Sequence, residues 1–522
     1  MAGFETRFMR PDDWAYTQIE RGRYFNKDYA VTGYRRADGL AGNPLHPACV
    51  LKDRLRETHK RLQETCKAIS LSRYHLKMPY WDVNDPNLPR NYAFVQAPER
   101  LTTTSVAVIM VGRDRIRDAE MGFYFDGKTL PTLRERMRGV CFRGLAGNLG
   151  YYMTPGLIEG LPWSHNARYP EFPLAVAPAY IGFHLFRDRG TGKVYGSFQG
   201  AHPAAAGIRN DGQVEIIPRL EIERYRVTLW GAEFEVHSIN NPDLADEVML
   251  FTPGLWTSEI GARVESWETF APEIPLSGRI NVFIANKGDS RVPVEEVIAV
   301  WPGRAPLPSF GAVLSFERKY FEKLFANIKA FSALHQRLGV VPCGGTNFDD
   351  YAQMMGGFVP AVVNGRHIYS VETVDQVKKY LNDYGNAISP IAQCGRESRN
   401  FDLRVREPVG LLAQTKDRIG WVLFDGRHEL SIGASVVDVA RILKMLEDKG
   451  ALGGKIEQAI FIDGGSAMKA YAIESDGENI ALDLLNRVAT GSRNGPGADP
   501  DRRAGHHCCC QSAVGGRSIR AG

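Results

Sequence analysis

No stretch of this chain approaches the roughly 18 to 20 consecutive apolar residues that a membrane-spanning helix needs; the run Ser105 to Val111 (SVAVIMV) has the length of a buried strand. An excess of one charge is also missing. Lys and Arg number 64 against 60 Asp and Glu, a net charge of +4, so charge argues for neither nucleic acid nor an anionic membrane as partner. There is no HExxH, no GxxxxGK[ST] and no GxGxxG after a strand, which removes the zinc-protease, P-loop and dinucleotide readings. A disulfide framework is lacking too. Of the eight cysteines, Cys49, Cys66, Cys141, Cys343 and Cys394 are scattered, as reduced packing residues are, and Cys508, Cys509 and Cys510 are adjacent. Where a secretory signal would place its apolar core, the chain has Glu5, Arg7, Arg10, Asp12 and Asp13, so the expectation is a cytoplasmic protein.

What is present is an ordinary globular composition, 44% hydrophobic and 24% charged over 522 residues, ample for a large core. Leu51 to Leu71 carries Leu51, Leu55, Leu62, Cys66 and Ile69 at helical spacing, and a Pro- and Asn-rich loop follows. From Ser105 the texture changes to short apolar runs between turns such as Asp126-Gly127 and Asn210-Asp211-Gly212, with strand-like stretches at Arg219 to Val236 and Arg279 to Val300. Helical periodicity predicts helices over Ser315 to Leu338, Ser370 to Tyr384 and from Ser435, whose Ser-x-x-Asp pair with Asp438 resembles a capping box. The strand Ala459 to Ile462 then ends in Asp463-Gly464-Gly465-Ser466. The expected fold is α+β: a mixed β-sheet core with flanking helices, preceded by a mainly helical N-terminal layer. The expected division is 1–104 as an N-terminal extension, 105–490 as the main domain, and 491–522 as a tail too rich in Gly, Arg, Asp and Ser to fold.

Three local features carry chemistry. A carboxylate at the end of a buried strand followed by two glycines, Asp463-Gly464-Gly465-Ser466, lets a ligand approach main-chain N–H groups; the same residues also make a plain strand-to-loop turn. The stretch Asn148-Leu149-Gly150-Tyr151-Tyr152, with Pro155-Gly156 after it, reads as a ligand-facing loop lined by rings and an amide, or as a hairpin with packing tyrosines. Arg406, in the stretch Val405 to Leu412 that leads into the strand Gly420 to Phe424, is placed to hold a phosphate or carboxylate bidentately, or to form a surface ion pair with Glu407 or a neighbour. The run His506-His507-Cys508-Cys509-Cys510 has metal-ligand types without metal-ligand spacing, and no metal or cofactor is expected. His165, His184, His202 and His237 are isolated.

In this order, the features resemble the phosphodiester glycosidase domain family, that of the lysosomal mannose-phosphate uncovering enzyme and its bacterial relatives. The resemblance also takes in Leu250-Phe251-Thr252-Pro253 with Thr257, the stretch Gly356-Gly357 through Gly365, and Gly433 to Leu446. It covers about Arg138 to Ile473, and it departs from the family pattern at Leu149, at Pro408 and in the two glycines between Asp463 and Ser466. It implies a hydrolase cleaving a sugar from a phosphodiester or related glycosidic linkage, with Asp463 and Arg406 catalytic. Asn148, Gly150, Tyr151, Tyr152, Thr257, Gly357, Gly464, Gly465 and Ser466 would bind substrate. Such cleavage develops oxocarbenium character on the sugar and negative charge on the leaving phosphate, which calls for a carboxylate and a cation side by side. The implied partner is a small-molecule or glycan phosphodiester, with neither nucleic acid nor membrane, and nothing in the sequence fixes an oligomeric state. The other reading on the same fold is an intracellular carbohydrate- or nucleotide-sugar-binding protein, or a biosynthetic transferase.

Overall fold

The computed structural model describes residues 5–7, 22–24, 27–29, 69–79, 101–113, 122–124, 138–139, 141–148, 152–153, 181–182, 185–195, 204–239, 246–251, 273–274, 278–287, 294–303, 305–306, 312–326, 336–370, 408–426, 431, 433–464, 468, 470–484 and 511–514. Strands dominate them. The elements used below are β1 (Ser70–Pro79), β2 (Leu101–Gly112), β3 (Cys141–Asn148), β4 (Ala204–Arg209), β5 (Val214–Ile217), β6 (Arg224–Leu229), β7 (Ala232–Val236), β8 (Val248–Phe251), β9 (Arg279–Lys287), β10 (Val294–Pro302), β11 (Ala312–Glu317), α1 (Arg318–Leu324), β12 (Gly339–Cys343) and β13 (Tyr351–Val363). The C-terminal part adds β14 (Val409–Thr415), β15 (Arg418–Phe424), α2 (Val436–Asp448), β16 (Ile456–Gly464), β17 (Ala470–Asp476), β18 (Ile480–Leu484) and β19 (Gln511–Val514).

The central sheet runs β1-β2-β15-β14-β16-β13, every neighbour antiparallel, and β4 extends it from β13. Its middle strands are buried on both sides, and so read as near-continuous apolar runs such as Val409 to Ala413 and Ile419 to Phe424. One face, with Ile109, Leu412, Trp421, Leu423, Ile460 and Ile462, meets Leu145 of β3 and Ala470 and Ala472 of β17, members of a second sheet ordered β18-β17-β3-β19. The other face, with Val359, Leu411, Val422, Phe424 and Phe461, is covered by Val439, Ile442, Leu443 and Leu446 of α2. Between β5 and β13 the chain builds a separate core from β6 to β12 and α1, in which Val227, Phe234, Leu250, Val282, Leu314, Phe316 and Phe325 pack together.

The expected α+β class is corrected by this architecture. The described residues hold two α-helices, and the sheets are almost wholly antiparallel; the parallel pairs are Glu5–Arg7 with β1 and Ser238–Ile239 with β8. The expected N-terminal helical layer is not what residues 69–79 form. Ile69 and Leu71, two residues apart, share one face of the sheet and its core as strand residues do, with Ser70, Ser72 and Tyr74 buried on the other face, while 51–68 lie outside the described residues. Of the helix expected from Ser315 to Leu338, the first residues belong to β11, where Val313, Leu314 and Phe316 are fully buried and paired on both sides, and Arg318–Leu324 form α1, while 327–335 lie outside the described residues. The helical spacing there reflects rings that converge on one core from a strand and a helix: Phe316 stands 5.5 Å from Phe321, and Phe321 5.0 Å from Phe325. Ser370 to Tyr384, beyond Ser370, also lies outside the described residues, whereas Gln511–Val514 of the expected tail form β19 against β3. No helix among the described residues is long and apolar enough to cross a membrane.

The cap expected at Ser435 is there. Ser435 Oγ accepts from the Asp438 amide at 3.2 Å and donates to Asp438 Oδ2 at 2.8 Å, while Asp438 Oδ2 also accepts from the Ser435 amide at 3.0 Å. Both residues are buried, so no water replaces a lost partner. Ser435→Ala is expected to lower unfolding free energy by about 1 to 2 kcal/mol in urea titration. A loss under about 0.3 kcal/mol would show that packing alone fixes the start of α2.

Candidate functional site

The candidate site lies at one end of the central sheet, where two irregularities adjoin. Along β14 and β16, Gly410 pairs with Ile462 and Val409 with Gly464, which leaves Asp463 as the extra residue of a β-bulge. On β13, facing β4, Gly356 pairs with Ala205 and Phe358 with Ala204, which leaves Gly357 as a second bulged residue. Its φ of +95° is one that L side chains adopt rarely, so glycine is required there. Val359 pairs with Phe461 across β13 and β16; carried on two residues, that register sets Gly357 abreast of Asp463. Bulges break the ladder and re-aim side chains, and this pair does so at the rim where β14 begins and β16 ends.

The rim is tight. A methyl group on Gly464 would stand 3.0 Å from the carbonyl oxygen of Pro408, and one on Gly410 would stand 2.7 Å from the Ile462 side chain and 3.0 Å from that of Met468. On the second sheet, β3 ends at Asn148, directly after the Gly147–Ala470 pair that opens β17, and β17 is joined to β16 by the connection 465–469. The backbones of Gly357, Asp463, Gly464 and Asn148 are thereby gathered at the same end of two packed sheets. Gln511 of β19 pairs with Asn148 on the other side of β3.

The remaining expected residues are distributed as follows. Arg406, Gly150, Tyr151, Thr257, Gly465 and Ser466 lie outside the described residues, as do the side chains of Asp463, Asn148 and Tyr152. Tyr152 belongs to a two-residue strand paired with Ile181–Gly182. Leu250 and Phe251, which open the motif leading to Thr257, are fully buried in β8 of the separate core. Among the described residues no group of three or more His, Cys, Asp or Glu is arranged to hold a metal, and the His506–Cys510 run lies outside them.

Sequence reading missed a buried ion pair beside this rim. Arg73 of β1 bonds Asp425, the residue after β15, with side chains 2% and 0% exposed. The Asp425 amide donates to Ser105 O at 2.9 Å, Ser431 Oγ donates to Asp425 O at 2.6 Å, and the Ser105 amide donates to Ser431 Oγ at 2.9 Å; Thr104 Oγ1 is 3.1 Å from Ser431 Oγ. The available signal was parity: Arg73 follows Ile69 and Leu71 at two-residue spacing, a pattern visible only once the segment is read as a strand.

No family model matches this sequence, and no curated protein matches it. Solved structures give distant likenesses. A hypothetical protein from Synechocystis is 15% identical with a TM-score of 0.34, over 74% of this chain and 56% of that one, so this chain spans little more than half its length. A protein of Burkholderia pseudomallei K96243, provisionally described as exported, is 12% identical with a TM-score of 0.37, over 80% and 75% of the two chains. The catalytic domain of zebrafish N-acetylglucosamine-1-phosphodiester alpha-N-acetylglucosaminidase, auto-inhibited by its pro-peptide, is 10% identical with a TM-score of 0.32, over 86% and 83%. All three scores are below 0.5, so chemical roles rest on the residues of this chain alone.

Proposed function

We propose that this chain is a hydrolase that cleaves a sugar from a phosphodiester or related glycosidic linkage. The observation that carries the reading is the bulge at Asp463 beside the start of β14, where Val409, three residues after Arg406, pairs with Gly464. On this reading a carboxylate and a guanidinium far apart in sequence act together at that rim. In this reading Asp463 serves the anomeric carbon, where positive charge develops, and Arg406 takes the departing phosphate in a two-pronged contact. A phosphate monoester leaves with little protonation, so one essential carboxylate suffices where ordinary glycosidases use two. Gly357, Gly464, Gly465 and Ser466 offer main-chain groups or a hydroxyl to phosphate or sugar oxygens, with Asn148, Gly150 and Thr257 alongside, and Tyr151 and Tyr152 stack on the ring.

The reading is tested at Asn148, which closes β3 at the rim. If its amide bonds a sugar hydroxyl, Asn148→Ala lowers kcat/KM on a nucleotide-linked sugar by about 1 to 3 kcal/mol with an unchanged thermal midpoint. Unchanged kinetics with a lowered midpoint would make Asn148 a turn residue and remove it from the site.

A further inference from the structure

The Arg73–Asp425 pair, with side chains 2% and 0% exposed, is expensive to bury. Two opposite charges taken out of water regain little more than their desolvation cost, and well-packed apolar residues of similar volume serve stability as well or better. Its place in the fold suggests another use. From Asp425 the chain passes to Gly426, which is pressed against the rim: a methyl group there would stand 2.7 Å from the Pro408 nitrogen, 2.9 Å from its Cδ and 3.0 Å from the Gly433 Cα. Pro408 in turn lies against Gly464, its carbonyl oxygen 3.0 Å from where a Gly464 methyl would be. An unbroken line of close contacts therefore leads from the ion pair through Gly426 and Pro408 to Gly464, next to Asp463. Pro408 is also the residue before β14, two positions after Arg406 in the sequence.

The hydroxyls fix the pair from the other side. Ser431 holds the Asp425 carbonyl and the Ser105 amide at once, so the Asp425 backbone is tied to Ser105 of β2 while its side chain is held by Arg73 of β1. Three strands, β1, β2 and β15, thus agree on where Gly426 sits. We infer that Arg73 and Asp425 are positioning residues: they set the place of Pro408, and through it that of the Gly464 backbone beside Asp463, without touching substrate themselves. The catalytic part of this inference rests on the hydrolase reading above, and the structural part does not. A displacement of about 1 Å between reacting groups lowers turnover by about a hundredfold, so a rim that is merely folded is not yet a rim in register.

The experiment is hydrogen–deuterium exchange with mass spectrometry on three full-length proteins, the wild type, Arg73→Met/Asp425→Leu and Gly426→Ala, together with kinetics on a nucleotide-linked sugar. The double variant removes both charges, so neither is left buried alone, and the thermal midpoint is expected to stay within a few degrees. Gly426→Ala keeps the pair and crowds Pro408 and, less closely, Gly433. In both variants, fragments containing Val409–Leu411 and Ile462–Gly464 are expected to exchange about tenfold faster or more, while Ile456–Gln458 at the far end of β16 keeps its wild-type rate. In both, kcat is expected to fall at least about tenfold with KM within about twofold of wild type. Wild-type exchange at the two rim fragments would overturn the proposal; so would fast rim exchange with unchanged kcat, which would leave the pair a structural feature only. If the double variant does not fold, Gly426→Ala decides by the same criteria. If the wild type itself shows no turnover, the hydrolase reading fails, and the exchange result alone decides whether the pair holds the rim.

Discussion

Asp463→Asn is expected to lose well over nine-tenths of turnover on a sugar phosphodiester while binding the substrate about as tightly as the wild type. Asparagine keeps the shape of the side chain and removes its charge, so ground-state contacts survive and stabilisation of the developing oxocarbenium does not. A tenfold loss corresponds to about 1.4 kcal/mol, a modest amount for an essential charged group. The backbone makes the prediction specific to this position. Asp463 is the unpaired residue of its bulge, so the substitution disturbs no ladder pair, and Val409 remains opposite Gly464. A thermal midpoint equal to wild type is therefore part of the expected result. The contrary outcome is retained turnover with lowered stability, which would make Asp463 a residue that caps its own turn.

Gly420→Ala is expected to be the most damaging single methyl in the central sheet, costing more than about 4 kcal/mol or abolishing soluble protein. Gly420 sits in β15 between Ala413 of β14 and Met110 of β2, and an added Cβ would fall 1.8 Å from the Ile109 carbonyl oxygen. The obstacle is backbone of a strand that is paired on its other side to β1, so no rotamer change relieves it. Gly410→Ala is a useful contrast. Its methyl meets the side chains of Ile462 and Met468, which can move, so it is expected to cost far less. Urea denaturation of the two variants checks the order; equal costs would show that β15 shifts freely against β2.

Much of the central sheet could be read from composition alone. The runs Ser105 to Val111, Gly420 to Phe424 and Ala459 to Ile462 are apolar because each strand is covered on both faces, by the second sheet on one side and by α2 on the other. The Ser435 cap is a local contact between residues three apart, and local contacts are what sequence pattern reports best. Strand was mistaken for helix where long-range packing decided: Phe316 belongs to a strand paired with β8 and β9, which nothing within ten residues of it reveals. The rim shows the same division. The turn chemistry of Asp463-Gly464 was visible, but the bulge depends on a register with β14 and the Gly357 bulge on one with β4, more than 140 residues upstream. Arg73 and Asp425 were out of reach for that reason, since two ordinary charged residues become a buried pair only through the order of β1, β2 and β15.

The most direct test of the central claim is the wild-type protein incubated with a nucleotide-linked sugar, with free sugar and phosphate monoester quantified together over time. Hydrolysis predicts that both appear in equal amounts, catalytically and saturably in substrate, and that Asp463→Asn abolishes both. Saturable binding with neither product released would contradict the account and identify the rim as a carbohydrate- or nucleotide-sugar-binding site without turnover.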